Sequence, residues 1–97
     1  MRRVLVSYDV ATADRSGRRR LRRVARACCD YGSRVQNSVF ECIVTPADWI
    51  RLRERLLSEA DLKQDSLRFY FLCTEDWERR EHAGTKAVQA LTEPLIL

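Results

Sequence analysis

The chain has 97 residues, 45% of them hydrophobic and 33% charged, and carries a formal net charge of +4. This composition is typical of one globular domain, since a disordered chain would hold fewer apolar residues and more than the three Gly and two Pro present here. The sequence lacks both the roughly 18-residue apolar run of a membrane span and the pattern of a secretion signal, so we expect a cytoplasmic protein without a membrane partner.

The first predicted strand covers residues 4–10, where β-branched residues are frequent and side chains alternate between two faces. A polar loop is predicted at residues 11–17. A helix follows, ended by Gly32. Its apolar residues recur at helical spacing: Leu21, Val24, Ala25, Cys28 and Tyr31. The other sides of this helix carry arginines, so we expect it to bury one stripe and expose a basic one.

Residues 33–44 contain a second apolar run, which Asn37 and Ser38 interrupt. This segment is therefore either one kinked strand or a short hairpin. Thr45 is placed to cap a second helix, with Pro46 at its first position. The apolar face of that helix is formed by Trp49, Leu52, Leu56, Leu57 and Ala60.

The last third of the chain begins with a polar turn at residues 61–66. Residues 67–72 alternate between two faces and predict another strand, and residues 77–82 predict a weaker one. A loop is predicted at residues 84–93. The final four residues, 94–97, have no polar side chain, so we expect a short strand that packs against another surface.

The order of these elements predicts an α+β sandwich, with two helices on one face of an antiparallel sheet. With a turn at Asn37 and Ser38, the order becomes βαββαβ plus a C-terminal strand, which is a ferredoxin-like arrangement. No repeat or linker divides the chain, so a single domain is expected over residues 1–97. Because this fold hosts many functions, the function has to be argued from particular residues.

Asp9 is unusual because it ends a strand that otherwise suits the interior of a sheet, where an unpaired carboxylate is costly. A carboxylate at a strand end can bind Mg²⁺, which prefers oxygen ligands and bridges readily to phosphate. A two-fold dimer would bring a second copy of Asp9 beside the first. Asp14 and Glu41 are candidate accessory ligands. The alternative is that Asp9 pairs with an arginine or caps the following loop.

The basic residues are unevenly distributed, because sixteen of the eighteen are Arg and seven of these lie between Arg15 and Arg26. The planar guanidinium group matches phosphate oxygens in geometry and charge. The sequence therefore favours nucleic acid as the partner, with a merely solvated helix face as the alternative.

The remaining reactive residue types carry weaker signals. The four cysteines do not have the spacing of a zinc site, so buried free thiols are expected at Cys28, Cys29, Cys42 and Cys73. The one histidine, His82, is interpreted as a surface residue. The aromatic side chains fit core packing better than base stacking: Trp49, Phe69 and Phe71.

Four stretches together resemble the small CRISPR-associated Cas-two family: "VSYDV", the Arg-rich helix ending in "DYG", "RVQNSVFECIVTPADW" and "DSLRFYFLC". The resemblance covers nearly the whole chain. It implies a ferredoxin-like homodimer in which Asp9 of both protomers faces a central cleft and holds one Mg²⁺. It also implies metal-dependent endonuclease activity on single-stranded RNA or duplex DNA, and a partnership with the CRISPR integrase that inserts new spacers.

The same resemblance assigns roles by position. Tyr8 and Asp9 match the catalytic motif at the strand end, with Asp9 as the metal ligand. Arg34 and Phe40 match the polar and aromatic positions of the second motif, which is assigned to nucleic-acid binding. The helix arginines correspond more loosely to the family, and six are assigned to nucleic-acid binding: Arg15, Arg18, Arg19, Arg22, Arg23 and Arg26. Residues 94–97 resemble a strand that adds to the sheet of the partner protomer.

Three functions are open on the sequence. In the first, the protein is a nuclease in which Mg²⁺ at the two Asp9 carboxylates activates water or stabilises the leaving oxygen. In the second, it is a non-catalytic adaptor whose basic surface binds duplex DNA in the integration complex. The third, an RNase toxin of similar fold, is disfavoured by the "SVFEC" stretch.

Overall fold

The computed structural model describes residues 1–85 and 95–96. Its elements are β1 (Arg2–Asp9), α1 (Arg15–Tyr31), β2 (Gly32–Gln36), β3 (Val39–Val44), α2 (Pro46–Glu59), β4 (Ser66–Leu72), α3 (Thr74–Glu78), β5 (Glu81–His82) and β6 (Leu95–Ile96). The first four strands form an antiparallel sheet in the order β2-β3-β1-β4. The predicted ferredoxin-like βαββαβ arrangement is therefore confirmed.

The two long helices pack on one face of this sheet and share a core with it. Alternate residues of β1 and β3 point into that core, as the period of two requires. The buried side chains of the strands are Val4, Val6, Tyr8, Phe40, Cys42 and Val44, and those of the helices include Val24, Ala27, Cys28, Trp49, Leu52 and Leu56. Residues between these positions, such as Asp9, lie on the opposite side, which we call the second face of the sheet.

The start of α1 differs from the prediction, since the helix begins at Arg15 and not after the expected loop at residues 11–17. Asp14 causes the earlier start, because its Oδ1 accepts a hydrogen bond from the Gly17 amide at 2.7 Å and so caps the helix. A Cβ atom at Gly17 would lie 1.9 Å from the carbonyl oxygen of Ala11. Glycine thus allows the first turn of α1 to approach the end of β1.

The interruption at Asn37 and Ser38 is a hairpin turn between β2 and β3, so the second of the two sequence interpretations is correct. A hydrogen bond links this turn to β1, since the Tyr8 amide donates to the Ser38 carbonyl at 3.1 Å. After β3, Thr45 caps α2 by accepting a hydrogen bond from the Asp48 amide at 3.1 Å, as predicted.

The predicted strand at residues 77–82 is wrong in its first half. The chain forms α3 there, capped by Cys73, and only Glu81–His82 is extended. Trp77 of α3 is buried. Arg80, just beyond α3, lies over the Trp77 ring and pairs with Glu41 on the second face of the sheet. The segment after β4 therefore folds back over part of the second face.

All four cysteines are free, but only Cys28 and Cys42 are buried. Cys29 faces away from the core on α1, and Cys73 is the exposed cap of α3, so the prediction of burial fails for these two. Phe71 is also more exposed than expected, although its ring contacts Trp49 edge to face.

The C-terminal strand is present at Leu95–Ile96 and pairs in parallel with β5. Its addition to a partner protomer stays a prediction, and most of the predicted loop at residues 84–93 lies outside the described residues. No helix in the described part of the chain is long and apolar enough to cross a membrane.

Candidate nucleic-acid interface and carboxylate site

Asp9 is the exposed last residue of β1 and lies on the second face of the sheet. Its partner on β4 is Ser66, while Ser7, the preceding residue on the same face, is opposite Arg68. Asp9 and Arg68 are therefore diagonal neighbours on one face. The Asp9 carboxylate forms no hydrogen bond or ion pair with any residue that the structure describes. Among the described residues, the alternative in which Asp9 pairs with an arginine or caps the following loop thus finds no support.

The accessory carboxylates predicted from the sequence are already engaged. Asp14 caps α1, and Glu41 accepts a hydrogen bond from Arg80. Among residues 1–85 and 95–96, no three His, Cys, Asp or Glu side chains are grouped so that they could hold a metal ion. A single exposed carboxylate suits one ligand position of Mg²⁺, which commonly keeps several waters and adds substrate phosphate. The chain therefore fits Mg²⁺ at Asp9 only with oxygen donors from elsewhere.

Tyr8 points away from Asp9, into the core. Its ring is stacked with Phe40 at a centroid distance of 6.2 Å, and its hydroxyl donates to the Asn37 carbonyl at 3.1 Å. Burial raises the pKa of Tyr8, and the nearby Cys28 thiol adds to this effect while Arg34 opposes it. The hydroxyl thus stays protonated at neutral pH and holds the hairpin turn, and its catalytic role stays a prediction.

Asp65 is a buried carboxylate in the predicted polar turn at residues 61–66, and the sequence did not indicate its burial. Its Oδ1 accepts from the Ala11 amide at 3.0 Å. Its Oδ2 accepts from the Asp61 amide at 2.8 Å and from Arg20 Nε at 2.9 Å. Burial alone would raise the pKa of Asp65, but the hydrogen bonds from Arg20, Asp61 and Ala11 outweigh it and lower the pKa. Asp65 is therefore ionised and joins the end of β1, α1 and the turn before β4.

The arginines of α1 fall into three groups. Arg20 is committed to Asp65, and it was not among the predicted binding residues. Arg23 and Arg26 form exposed pairs with Glu59 and Asp30, at 3.6 and 3.5 Å. Four more are exposed and form no ion pair with a described residue: Arg15, Arg18, Arg19 and Arg22. Because exposed pairs contribute little, about 0–1 kcal/mol, Arg23 and Arg26 can exchange their carboxylates for phosphate.

Arg34 and Phe40, which the resemblance paired, do lie together. The guanidinium of Arg34 is exposed on β2 and lies 5.1 Å from the centroid of the Phe40 ring. Phe40 itself is fully buried, so it has no free ring face for a base. Its contribution is to support Arg34 by a cation–π contact. A binding role for this pair stays a prediction.

Known proteins with similar sequences match nearly the whole chain. The sequence model of the family described as "CRISPR associated protein Cas2" matches residues 1–80. A protein of Nitratidesulfovibrio vulgaris named "CRISPR-associated endoribonuclease Cas2" is 55% identical over 94 residues, which cover 97% of this chain and 92% of that protein. Another from Halalkalibacterium halodurans, named "CRISPR-associated endonuclease Cas2", is 48% identical over 93 residues, covering 96% of this chain and 97% of that protein.

A solved structure is also similar in fold. The crystal structure of Streptococcus pyogenes Cas2 at pH 6.5 matches with a TM-score of 0.71 and 56% sequence identity, and the match covers 79% of this chain and 92% of that chain.

Proposed function

Because the chain belongs to the Cas2 family of CRISPR-associated proteins, we propose that it is a cytoplasmic endonuclease that cleaves RNA or duplex DNA during spacer acquisition. The observation that carries this proposal is the exposed Asp9 carboxylate, which no described residue engages. The first turn of α1 packs on Ala11, two residues after Asp9. Arg15, the first residue of α1, and Asp9, the last residue of β1, therefore lie at the same end of that strand.

The residues of the chain divide the chemistry between them. The exposed arginines of α1 and Arg34 bind the phosphates and orient the strand, since a guanidinium group can donate two parallel hydrogen bonds to phosphate oxygens. Asp9 would hold Mg²⁺, which supplies Lewis-acid polarisation of the phosphoryl group and lowers the pKa of a bound water. Arg68, diagonal to Asp9 on the second face, is placed to bind a phosphate oxygen next to the carboxylate. The sequence analysis missed Arg68 because only the β1–β4 register brings it beside Asp9.

The proposed working form is a homodimer, in which a second Asp9 completes the oxygen donors. Within the described residues, one protomer offers a single unengaged carboxylate at this site, so a metal site needs a partner or substrate. The outer edge of β4 supports an added strand, because β4 is last in the sheet and its Tyr70 and Phe71 are exposed. We propose that the C-terminal strand of a second copy pairs with this edge of β4.

A second function is favoured by a different observation. The described residues of one chain present a set of exposed arginines on α1, whereas they include no group of three side chains that could hold a metal ion. In this alternative, the protein is a non-catalytic adaptor that binds duplex DNA beside the CRISPR integrase, and phosphate contacts alone provide its affinity.

One comparison separates the two functions. Asp9→Ala is assayed beside the wild type and Asp48→Ala, which removes an exposed carboxylate paired with Arg51 on α2. Two activities are measured on each preparation: Mg²⁺-dependent cleavage of RNA and duplex DNA, and spacer integration with the cognate integrase. A nuclease loses cleavage only in Asp9→Ala, with nucleic-acid binding intact. If no variant cleaves and all support integration, the nuclease proposal is wrong and the adaptor is correct.

A further inference from the structure

The backbone two residues beyond Asp9 is held from both sides at Ala11. Its amide donates to the Asp65 carboxylate at 3.0 Å, and its carbonyl accepts from Arg20 Nη2 at 3.4 Å. Because Gly17 has no Cβ atom, the first turn of α1 can lie against the same carbonyl. A displacement of this peptide would therefore disturb both the end of β1 and the start of α1.

Asp65 also fixes the strand opposite Asp9. It immediately precedes Ser66, the residue of β4 that pairs with Asp9. Its side chain has no exposed surface, and it accepts a hydrogen bond from the Asp61 amide at the start of the turn that leads into β4. The Asp65 carboxylate is thus bonded to the backbone that follows Asp9, and it belongs to the residue that precedes the cross-strand partner of Asp9.

We propose that Asp65 is a positioning residue for Asp9, and that its ionised carboxylate keeps the Asp9 backbone and the first turn of α1 in one fixed arrangement. This inference rests on the proposed nuclease function and extends it to a residue that does not touch the substrate. A neutral amide cannot replace the carboxylate, because an Asn side chain has one acceptor oxygen for three donors. In either orientation of the amide, the backbone N–H of Ala11 or of Asp61 would face the NH2 group and lose its acceptor.

The test uses Asp65→Asn, with Asp30→Asn as the matched control. Asp30 also pairs with arginines, Arg55 and Arg26, but it is exposed and lies at the far end of α1. Amide hydrogen exchange is measured in the apo protein, without metal or substrate. We expect exchange to accelerate at residues 9–17 in Asp65→Asn only, while the β1 and β3 core amides keep their protection.

Cleavage kinetics supply the second measurement. We expect Asp65→Asn to lower kcat by about 100-fold, the loss that a displacement of reacting groups by about 1 Å can cause. KM and the salt dependence of binding should stay unchanged, since the exposed arginines are intact. Gly17→Ala is a second variant that displaces Ala11 from its other side, and it should reproduce the loss of kcat if Asp65→Asn does not fold.

The outcomes distinguish this inference from the proposed function. If exchange changes as expected but the wild type does not cleave, the nuclease proposal fails and the positioning by Asp65 stands. Unchanged exchange at residues 9–17, or faster exchange throughout the chain, would overturn the positioning role even in an active nuclease. A change in KM with kcat unaltered would overturn it as well.

Discussion

The guanidinium of Arg34 is held over the ring of Phe40, a residue with no exposed surface of its own. A buried aromatic ring therefore fixes the direction of an exposed cation on β2. This arrangement reduces the freedom that the arginine would lose on binding a phosphate, and so it favours binding.

Arg34→Ala should weaken nucleic-acid binding without unfolding the protein, because the side chain is exposed. We expect the slope of log affinity against log salt concentration to fall by about one, the amount for one lost phosphate contact. Fluorescence anisotropy at several salt concentrations measures this slope. Arg53→Ala on α2 is the control, since Arg53 is also exposed. An equal loss in both variants would show that only total charge matters.

Arg18 and Arg20 are close in sequence but should respond differently to replacement by Gln. Arg18→Gln should weaken binding and leave the melting temperature unchanged, because Arg18 forms no ion pair with a described residue. Arg20→Gln should lower the melting temperature by at least about 5 °C, because it leaves the Asp65 charge buried with fewer donors. Calorimetry and binding assays on both variants test this contrast. Equal melting temperatures would contradict the role given to Arg20.

The pH dependence of stability should report Asp65. Its pKa is lower in the folded protein than in the unfolded chain, because the bonds from Arg20, Asp61 and Ala11 outweigh the effect of burial. Its ionisation therefore stabilises the fold fully above the ordinary aspartate pKa, and this stability is lost as the pH falls through the lower folded pKa. Urea unfolding between neutral and acidic pH should give a flatter profile for Asp65→Asn than for the wild type. Parallel profiles would contradict this assignment.

Tyr8→Phe separates the structural role of this hydroxyl from the predicted catalytic one. Removing the hydrogen bond to the Asn37 carbonyl should cost about 1 kcal/mol of unfolding free energy. Since that hydroxyl is already engaged in the core, we expect kcat for cleavage to stay unchanged. Chemical denaturation and cleavage assays provide the two values. A fall in kcat at unaltered stability would instead support the catalytic role.

The four thiols should differ in reactivity. Burial raises the pKa of Cys28 and of Cys42 to about 12, so both stay as unreactive thiols near neutral pH. A thiol reagent should modify Cys29 and Cys73 in the folded protein, and all four after unfolding. The variant with serine at Cys29 and Cys73 should show no fast reaction, and fast labelling of this variant would contradict the buried positions.

The features that could be predicted from the sequence depend on local chemistry. Thr45 and Pro46 define the start of α2 through their own conformational preferences, and Asn37 with Ser38 forms a turn for the same reason. The start of α3 was not predicted because its N-cap is Cys73, and cysteine is seldom an N-cap residue.

The features that could not be predicted depend on contacts between distant residues. Asp65 and Arg20 are 45 positions apart, and nothing in a polar turn indicates that one of its acids is buried. One signal was available for Arg20, since it lies four residues before the buried Val24 and three after Gly17, on the inward side of α1. Strand alternation puts Asp9 on the face opposite Tyr8, whereas the exposure of Asp9 required the packing of the helices, and its neighbour Arg68 required the register of β1 with β4.

The link between Asp65 and Ala11 also affects how the protein is made. The two residues are 54 positions apart. A ribosome must therefore translate both long helices before it adds the carboxylate that binds the Ala11 amide, just after Asp9. A nascent chain that stops after α2 carries Asp9 and all the arginines of α1 without the carboxylate that joins the end of β1 to Arg20. The protein thus acquires an ordered site only late in its synthesis, after most of its basic surface has left the ribosome.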